Sequence, residues 1–133
     1  MDGHDPRSAK VIHFDTNFLI AAFRAGSPEE TRFSAWLRAK EPLGLSAVAW
    51  AEFFSGPLSK RDEALARQLF PRIEALSGAD AEMAAQLFNQ TGRRSRSLAD
   101  CMIAAAAIRC GARLATLNIA DFQPFIRHGL VLA

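Results

Sequence analysis

The sequence is poor in cysteine and has no long apolar run. Its two cysteines, Cys101 and Cys110, fall in one predicted helix, where nine residues of rise separate them by roughly 13 Å, too far for a disulfide. No apolar run approaches the ~20 residues that a membrane span needs, and the first residues lack the basic-then-apolar pattern of a signal peptide. We therefore expect a soluble, cytoplasmic protein with reduced thiols and no membrane association.

Several chemical motifs are also missing. The sequence contains no HExxH, no CxxC and no histidine pair, so a zinc site is not expected. It has no glycine-rich phosphate loop of the Walker or Rossmann kind. A haloacid-type phosphatase needs Asp-x-Asp, but position 17 is Asn17, and a receiver domain needs a late lysine, whereas no lysine follows Lys60. Both of these magnesium-dependent classes are disfavoured.

The length and composition indicate one globular domain. The chain has 133 residues, of which 50% are hydrophobic and 23% charged, and this length suits a single core. We expect a polar, flexible leader over residues 1–9 and one domain over residues 10–133. The net charge of +2 is compatible with a polyanionic partner and does not establish one.

Short apolar runs alternate with helical patterns along the chain. Strands are predicted near residues 11–14, 43–45, 73–76, 113–116 and 130–133, the last at a sheet edge. Ser27 followed by Pro28, and Ser46 before an apolar stretch, predict helix starts. The alternation is typical of an α/β fold whose parallel sheet carries helices on both faces.

Four acidic residues lie near the carboxyl ends of these predicted strands, where open parallel sheets bind ligands. They are Asp15, Glu52, Asp100 and Asp121, far apart in sequence. Carboxylates brought close together repel one another unless a cation lies between them. Oxygen ligands suit Mg²⁺ or Mn²⁺, so the pattern predicts a metal site.

Each acid also has a structural interpretation. Asp15 is a good residue for a helix N-cap, and Asp100 follows Ser97 at the spacing of a capping box. Glu52 could be a solvated helix residue, although its aromatic neighbours suggest a largely buried stretch in which a lone Glu would be costly. Asp121 could be an ordinary loop acid.

Three arginines, Arg93, Arg94 and Arg96, form a basic loop directly before the helix that carries Asp100. They could bind RNA phosphates, or they could be a solvated loop; the sequence does not decide between the two.

Four motifs in order make the chain similar to PIN-domain ribonucleases, and most of all to VapC-type toxins. They lie at residues 14–17, 46–52, 98–104 and 114–122, and the resemblance covers roughly residues 10–133. It implies a three-layer α/β/α sandwich around a mainly parallel sheet. It also implies cleavage of RNA with Mg²⁺ or Mn²⁺, a homodimer, and a cognate antitoxin that blocks the site.

The resemblance assigns roles to individual residues. Asp15, Glu52 and Asp100 match the three acidic positions of the family, and either Asn118 or Asp121 fills the fourth. The resemblance also maps Asn17 and Thr116 onto polar residues that line the pocket. The expected protein is the endoribonuclease toxin of a type II pair; the alternative is a catalytically silent RNA-binding or scaffold module on the same fold.

Overall fold

A computed structural model of the chain describes residues 11–91 and 97–133; the expected leader lies outside the described residues. Five short strands alternate with helices. In chain order the elements are β1 (Ile12–Phe14), α1 (Thr16–Ala22), α2 (Pro28–Arg38), β2 (Leu45–Ser46), α3 (Ala47–Ser55), α4 (Lys60–Leu69), β3 (Ile73–Glu74), α5 (Gly78–Gln90), α6 (Ser97–Arg109), β4 (Arg113–Ala115), α7 (Ile119–Phe122), a 3₁₀ helix (Gln123–His128) and β5 (Val131–Leu132).

All strand pairs in the described part of the chain are parallel. β1 pairs with β4 and β4 with β5, while β2 pairs with β3. Ile12 joins the two groups, because its backbone bonds to Pro42 and Gly44 on the approach to β2. The resulting order is β3-β2-β1-β4-β5, with β5 at an edge as predicted.

Helices cover both faces of this sheet. Consecutive strand residues point to opposite faces, and in β1 the buried Phe14 packs on Phe18 of α1 and Phe33 of α2. The preceding residue, His13, faces the other side of the sheet, where the charge of Arg109 at the end of α6 acts on it. The predicted three-layer α/β/α arrangement is confirmed.

Serine caps explain where four of the helices begin. In each case the serine hydroxyl accepts a hydrogen bond from a backbone N–H in the first turn, which satisfies a donor that the helix itself leaves unpaired. The capping residues are Ser27, Ser46, Ser59 and Ser77. The first two were predicted from the sequence; the last two were not.

A partly buried ion pair ties α5 to α6. The carboxylate of Asp80, only 2% exposed, accepts a hydrogen bond of 2.7 Å from Nε of Arg109. Burial alone raises the pKa of Asp80, but hydrogen bonds from Arg109 and Ser77 outweigh it and leave this pKa below its ordinary value. This pair belongs to the fold, since Asp80 does not line the cleft described below.

Among the described helices, none has the length and apolar character that crossing a bilayer requires.

Candidate active site

A polar cleft of about 240 Å³ opens beyond the carboxyl ends of β1 and β4. Its walls come from four separate stretches of chain, which only the fold brings together. The residues that line it are Asp15, Thr16, Asn17, Glu52, Asp100, Asn118 and Asp121. All four acids predicted from the sequence therefore face the same space.

Asp15 lies at the base of this cleft and is only 3% exposed. It is the N-cap of α1: its Oδ1 accepts a hydrogen bond of 2.8 Å from the backbone N–H of Phe18. Its Oδ2 accepts a second bond, of 2.5 Å, from the hydroxyl of Thr116. The capping interpretation of Asp15 is thus confirmed, and the same carboxylate also lines the cleft.

The electrostatic environment of Asp15 disfavours its charge. Burial raises the pKa of this carboxyl, and the nearby charge of Glu52 raises it further. The hydrogen bonds from Thr116 and Phe18 act in the opposite direction without cancelling the shift. A cation in the cleft would remove this cost.

Thr116 supports Asp15 from behind. It is 6% exposed and is not among the residues that line the cleft. Its hydroxyl donates to Asp15 and accepts a 2.9 Å hydrogen bond from the backbone N–H of Asn118. Thr116 therefore links the acid after β1 to the turn after β4.

Glu52 is exposed, so the expectation that its helix stretch would bury it was wrong. Phe53, beside it in α3, is 1% exposed and occupies the core, which turns Glu52 outward into the cleft. Its Oε1 accepts a 2.5 Å hydrogen bond from the hydroxyl of Thr16. Thr16 was missed in the sequence, although its place between Asp15 and Asn17 was a signal.

The remaining lining residues come from α6 and from the turn into α7. Asp100 is in the first turn of α6 and half-buried; the Ser97 side chain of its expected capping box lies outside the described residues. Asn118 and Asp121 both line the cleft, so both candidates for the fourth position are near the other acids.

The family model described as PIN domain matches residues 12–123, most of the chain. The chain belongs to the PIN domain family. No curated protein matches it.

Several solved structures share the fold of this PIN domain. FitAcB from Neisseria gonorrhoeae is 25% identical, with a TM-score of 0.68 over 92% of this chain and 97% of that one. A toxin–antitoxin complex from Klebsiella pneumoniae is 27% identical, with a TM-score of 0.68 over 84% and 89%. DNA-bound VapBC from Salmonella typhimurium, at 22% identity, has a TM-score of 0.70 over 93% and 97%.

The donors in the cleft of this PIN domain are hard oxygens, which suit Mg²⁺ or Mn²⁺ better than zinc. Within residues 11–91 and 97–133, no three His, Cys, Asp or Glu side chains form a set close enough to hold a metal. Magnesium commonly keeps several waters and takes only one or two protein carboxylates. The cleft fits an ion held in that way and does not fit a closed structural site.

The basic loop of this PIN domain, with Arg93, Arg94 and Arg96, lies outside the described residues. Among the residues that the structure places in the cleft wall, none is basic. Contacts to an anionic substrate within the described wall therefore depend on amide and hydroxyl groups and on any bound cation.

Proposed function

We propose that this PIN domain is a metal-dependent endoribonuclease that hydrolyses RNA phosphodiesters with carboxylate-bound Mg²⁺ or Mn²⁺. One observation carries the proposal: acids from four separate segments line one polar cleft beyond the carboxyl ends of β1 and β4. Within it, burial and the charge of Glu52 raise the pKa of Asp15 and so disfavour its ionised form, a cost that a bound cation would offset.

Each acid has a role in this proposal. Asp15 and Asp100 would bind the metal directly, while Glu52 and Asp121 would hold its coordinated waters. When bound, a divalent ion supplies Lewis acidity and lowers the pKa of a coordinated water. Thr116 and Phe18 fix the carboxylate of Asp15 and leave each of its oxygens a lone pair for the ion.

The experiment is a metal titration with a labelled RNA. Purified protein in EDTA should leave the RNA intact, and added Mg²⁺ or Mn²⁺ should restore internal cleavage, whereas a DNA strand of the same sequence should stay whole. RNA bound tightly but never cut would favour the alternative of a silent RNA-binding or scaffold module. Cleavage that EDTA does not reduce would overturn the metal proposal.

Substrate binding is proposed to involve Asn17, Asn118 and the arginine loop, with Thr116 holding the turn that presents Asn118. Each arginine that neutralises a phosphate of single-stranded RNA contributes about −0.7 to the slope of log K against log salt. Replacing Arg93, Arg94 and Arg96 together by Ala should reduce that slope by about 2 in fluorescence anisotropy titrations. A slope equal to that of wild type would assign these arginines to a solvated loop.

The biological role is proposed from the neighbours. One of those compared, 27% identical and from Klebsiella pneumoniae, is a toxin–antitoxin complex, and this chain spans 89% of its matched chain. We propose a cytoplasmic toxin of a type II pair, formed by a single domain over residues 10–133, which is a homodimer and is inhibited by its antitoxin. Co-expression with the product of the neighbouring open reading frame tests this: a toxin should co-purify with it and lose ribonuclease activity.

A further inference from the structure

Two threonine hydroxyls hold two different acids of the cleft. The hydroxyl of Thr116 donates to Asp15, which also accepts a hydrogen bond from the backbone N–H of Phe18. Thr16 bonds to Glu52, and this is the one hydrogen bond described for that carboxylate within the part of the chain that the structure covers. Asp15 is therefore held by two donors in a buried place, whereas Glu52 depends on a single hydroxyl.

We propose that Thr16 is a positioning residue for Glu52: its hydroxyl selects the conformation in which this carboxylate faces the cleft. The hydrogen bond itself does not depend on the proposed function, but its consequence for metal binding rests on that function. Thr16 donates to Oε1 at 2.5 Å, which leaves Oε2 of Glu52 for an ion, for its waters or for substrate. Thr16 acts through Glu52 and is given no direct contact with the reacting atoms.

The fold explains why the donor has to come from α1. Glu52 is an exposed glutamate with three side-chain torsions, so without a partner it would populate many conformations. The next residue, Phe53, is buried in the core and packs against Phe23, the C-cap of α1, with ring centroids 5.1 Å apart. The hydrogen bond from Thr16 adds a second contact at the first turn of α1, so α3 meets both ends of that helix.

The same contact also fixes the spacing of two acids. Thr16 follows Asp15 directly, and Asp15 is the N-cap of α1. One short segment thus holds Asp15 by its own backbone and Glu52 by a hydroxyl. The hydrogen bond from Thr16 therefore sets where the carboxylate of Glu52 lies relative to Asp15.

The first test needs neither metal nor RNA. Thr16→Val keeps the β-branched shape and removes only the hydroxyl. In metal-free crystals, Glu52 should keep a single conformation toward position 16 in wild type and adopt others in Thr16→Val. An unchanged Glu52 conformation in the variant would overturn the proposal.

The second test is a double-mutant cycle read by Mn²⁺ affinity in calorimetry. Thr16→Val should weaken Mn²⁺ binding roughly tenfold, the lower range for loss of a residue that orients a metal ligand. In the Glu52→Gln background, Thr16→Val should weaken Mn²⁺ binding less than about twofold, because Glu52, through which Thr16 acts, is already altered. Equal losses in both backgrounds, or no loss in either, would exclude positioning through Glu52.

Two further variants serve as controls. Thr16→Ser restores the hydroxyl and should bring Mn²⁺ affinity back to within about threefold of wild type. Thr31→Val removes the hydroxyl of a threonine in α2 that donates to the backbone carbonyl of Ser27 and does not line the cleft, and it should leave Mn²⁺ affinity unchanged. A Thr16→Ser protein as impaired as Thr16→Val would contradict the role of the hydroxyl.

The two proposals fail in different ways. If the variants show the predicted coupling in Mn²⁺ binding but the wild-type protein cuts no RNA, the ribonuclease proposal is wrong and Thr16 remains a positioning residue for Glu52. If the wild-type protein cuts RNA but Thr16→Val has the same Glu52 conformation and the same Mn²⁺ affinity, the ribonuclease proposal stands and the positioning role of Thr16 is wrong.

Discussion

Replacing Asp15 by Asn should reduce metal-dependent RNA cleavage by more than about 100-fold. Mutating a residue that only hydrogen-bonds to a metal ligand typically lowers activity by about 10- to 100-fold, and loss of a direct ligand should exceed that. The fold should survive, since Asn is as good an N-cap as Asp and can still accept the hydrogen bond from Phe18. Asp100→Asn should show the same loss. Initial cleavage rates across a Mn²⁺ titration measure both.

The same Asp15→Asn protein should be at least as stable as wild type without metal. The pKa of Asp15 is raised in the folded state, so the folded protein holds this proton more tightly than the unfolded chain does. The stability that this provides is fully present at pH values below the unfolded pKa of Asp15 and is lost as pH rises through the folded pKa. A neutral amide avoids that loss at pH 7. Thermal unfolding in EDTA tests this, and added Mn²⁺ should raise the melting temperature of wild type much more than that of the variant.

The matched control for these variants is Asp62→Asn, a charge in the first turn of α4 that does not line the cleft. It should retain wild-type cleavage and its metal dependence. Full activity in Asp15→Asn or in Asp100→Asn would remove that acid from the proposed site.

Acidification should destabilise the protein by about 3 kcal/mol between pH 7 and pH 4 through His13 alone. This side chain is 1% exposed, and burial lowers its pKa from 6.5 to about 4, with Glu74 raising it and Arg109 lowering it further. Between those values the unfolded chain binds a proton that the folded chain does not, so stability falls as pH falls. Urea unfolding in EDTA across this range measures the slope.

Removing the imidazole should flatten that dependence. His13→Leu lacks the titrating group, and His13→Gln is a second variant if the first does not fold. Ile12→Val, in the same strand, should lower stability by about 1 kcal/mol at every pH and leave the slope unchanged. A His13→Leu protein with the wild-type pH dependence would show that other groups dominate acid unfolding.

Much of the architecture could be predicted because its determinants are local. The alternation of short apolar strands with helices predicted the layered parallel fold, and Ser27 and Ser46 marked two helix starts by cap chemistry within one turn. That the four acids share one cleft could also be predicted, since parallel strands bring the residues near their carboxyl ends to the same edge of the sheet. Ser59 and Ser77 act in the same way and were overlooked.

Other features depended on how helices pack across the sheet. The sequence suggested that the aromatic neighbours of Glu52 would bury it, but Phe53 enters the core while Glu52 stays exposed in the cleft. His13 is buried because Gly44 leaves room for its ring: a Cβ there would lie 3.0 Å from its Nε2. Neither result follows from residues adjacent in sequence.

By itself, the sequence determined which chemical groups the protein has and the order of its strands and helices, because caps, periodicity and charge act over a few residues. Only the tertiary structure decided which hydroxyl holds which acid: Thr116 behind Asp15, and Thr16 beside Glu52. The physical reason is that hydrogen bonds between distant residues require positions accurate to a few tenths of an ångström, and these are set by strand register and helix packing over the whole domain.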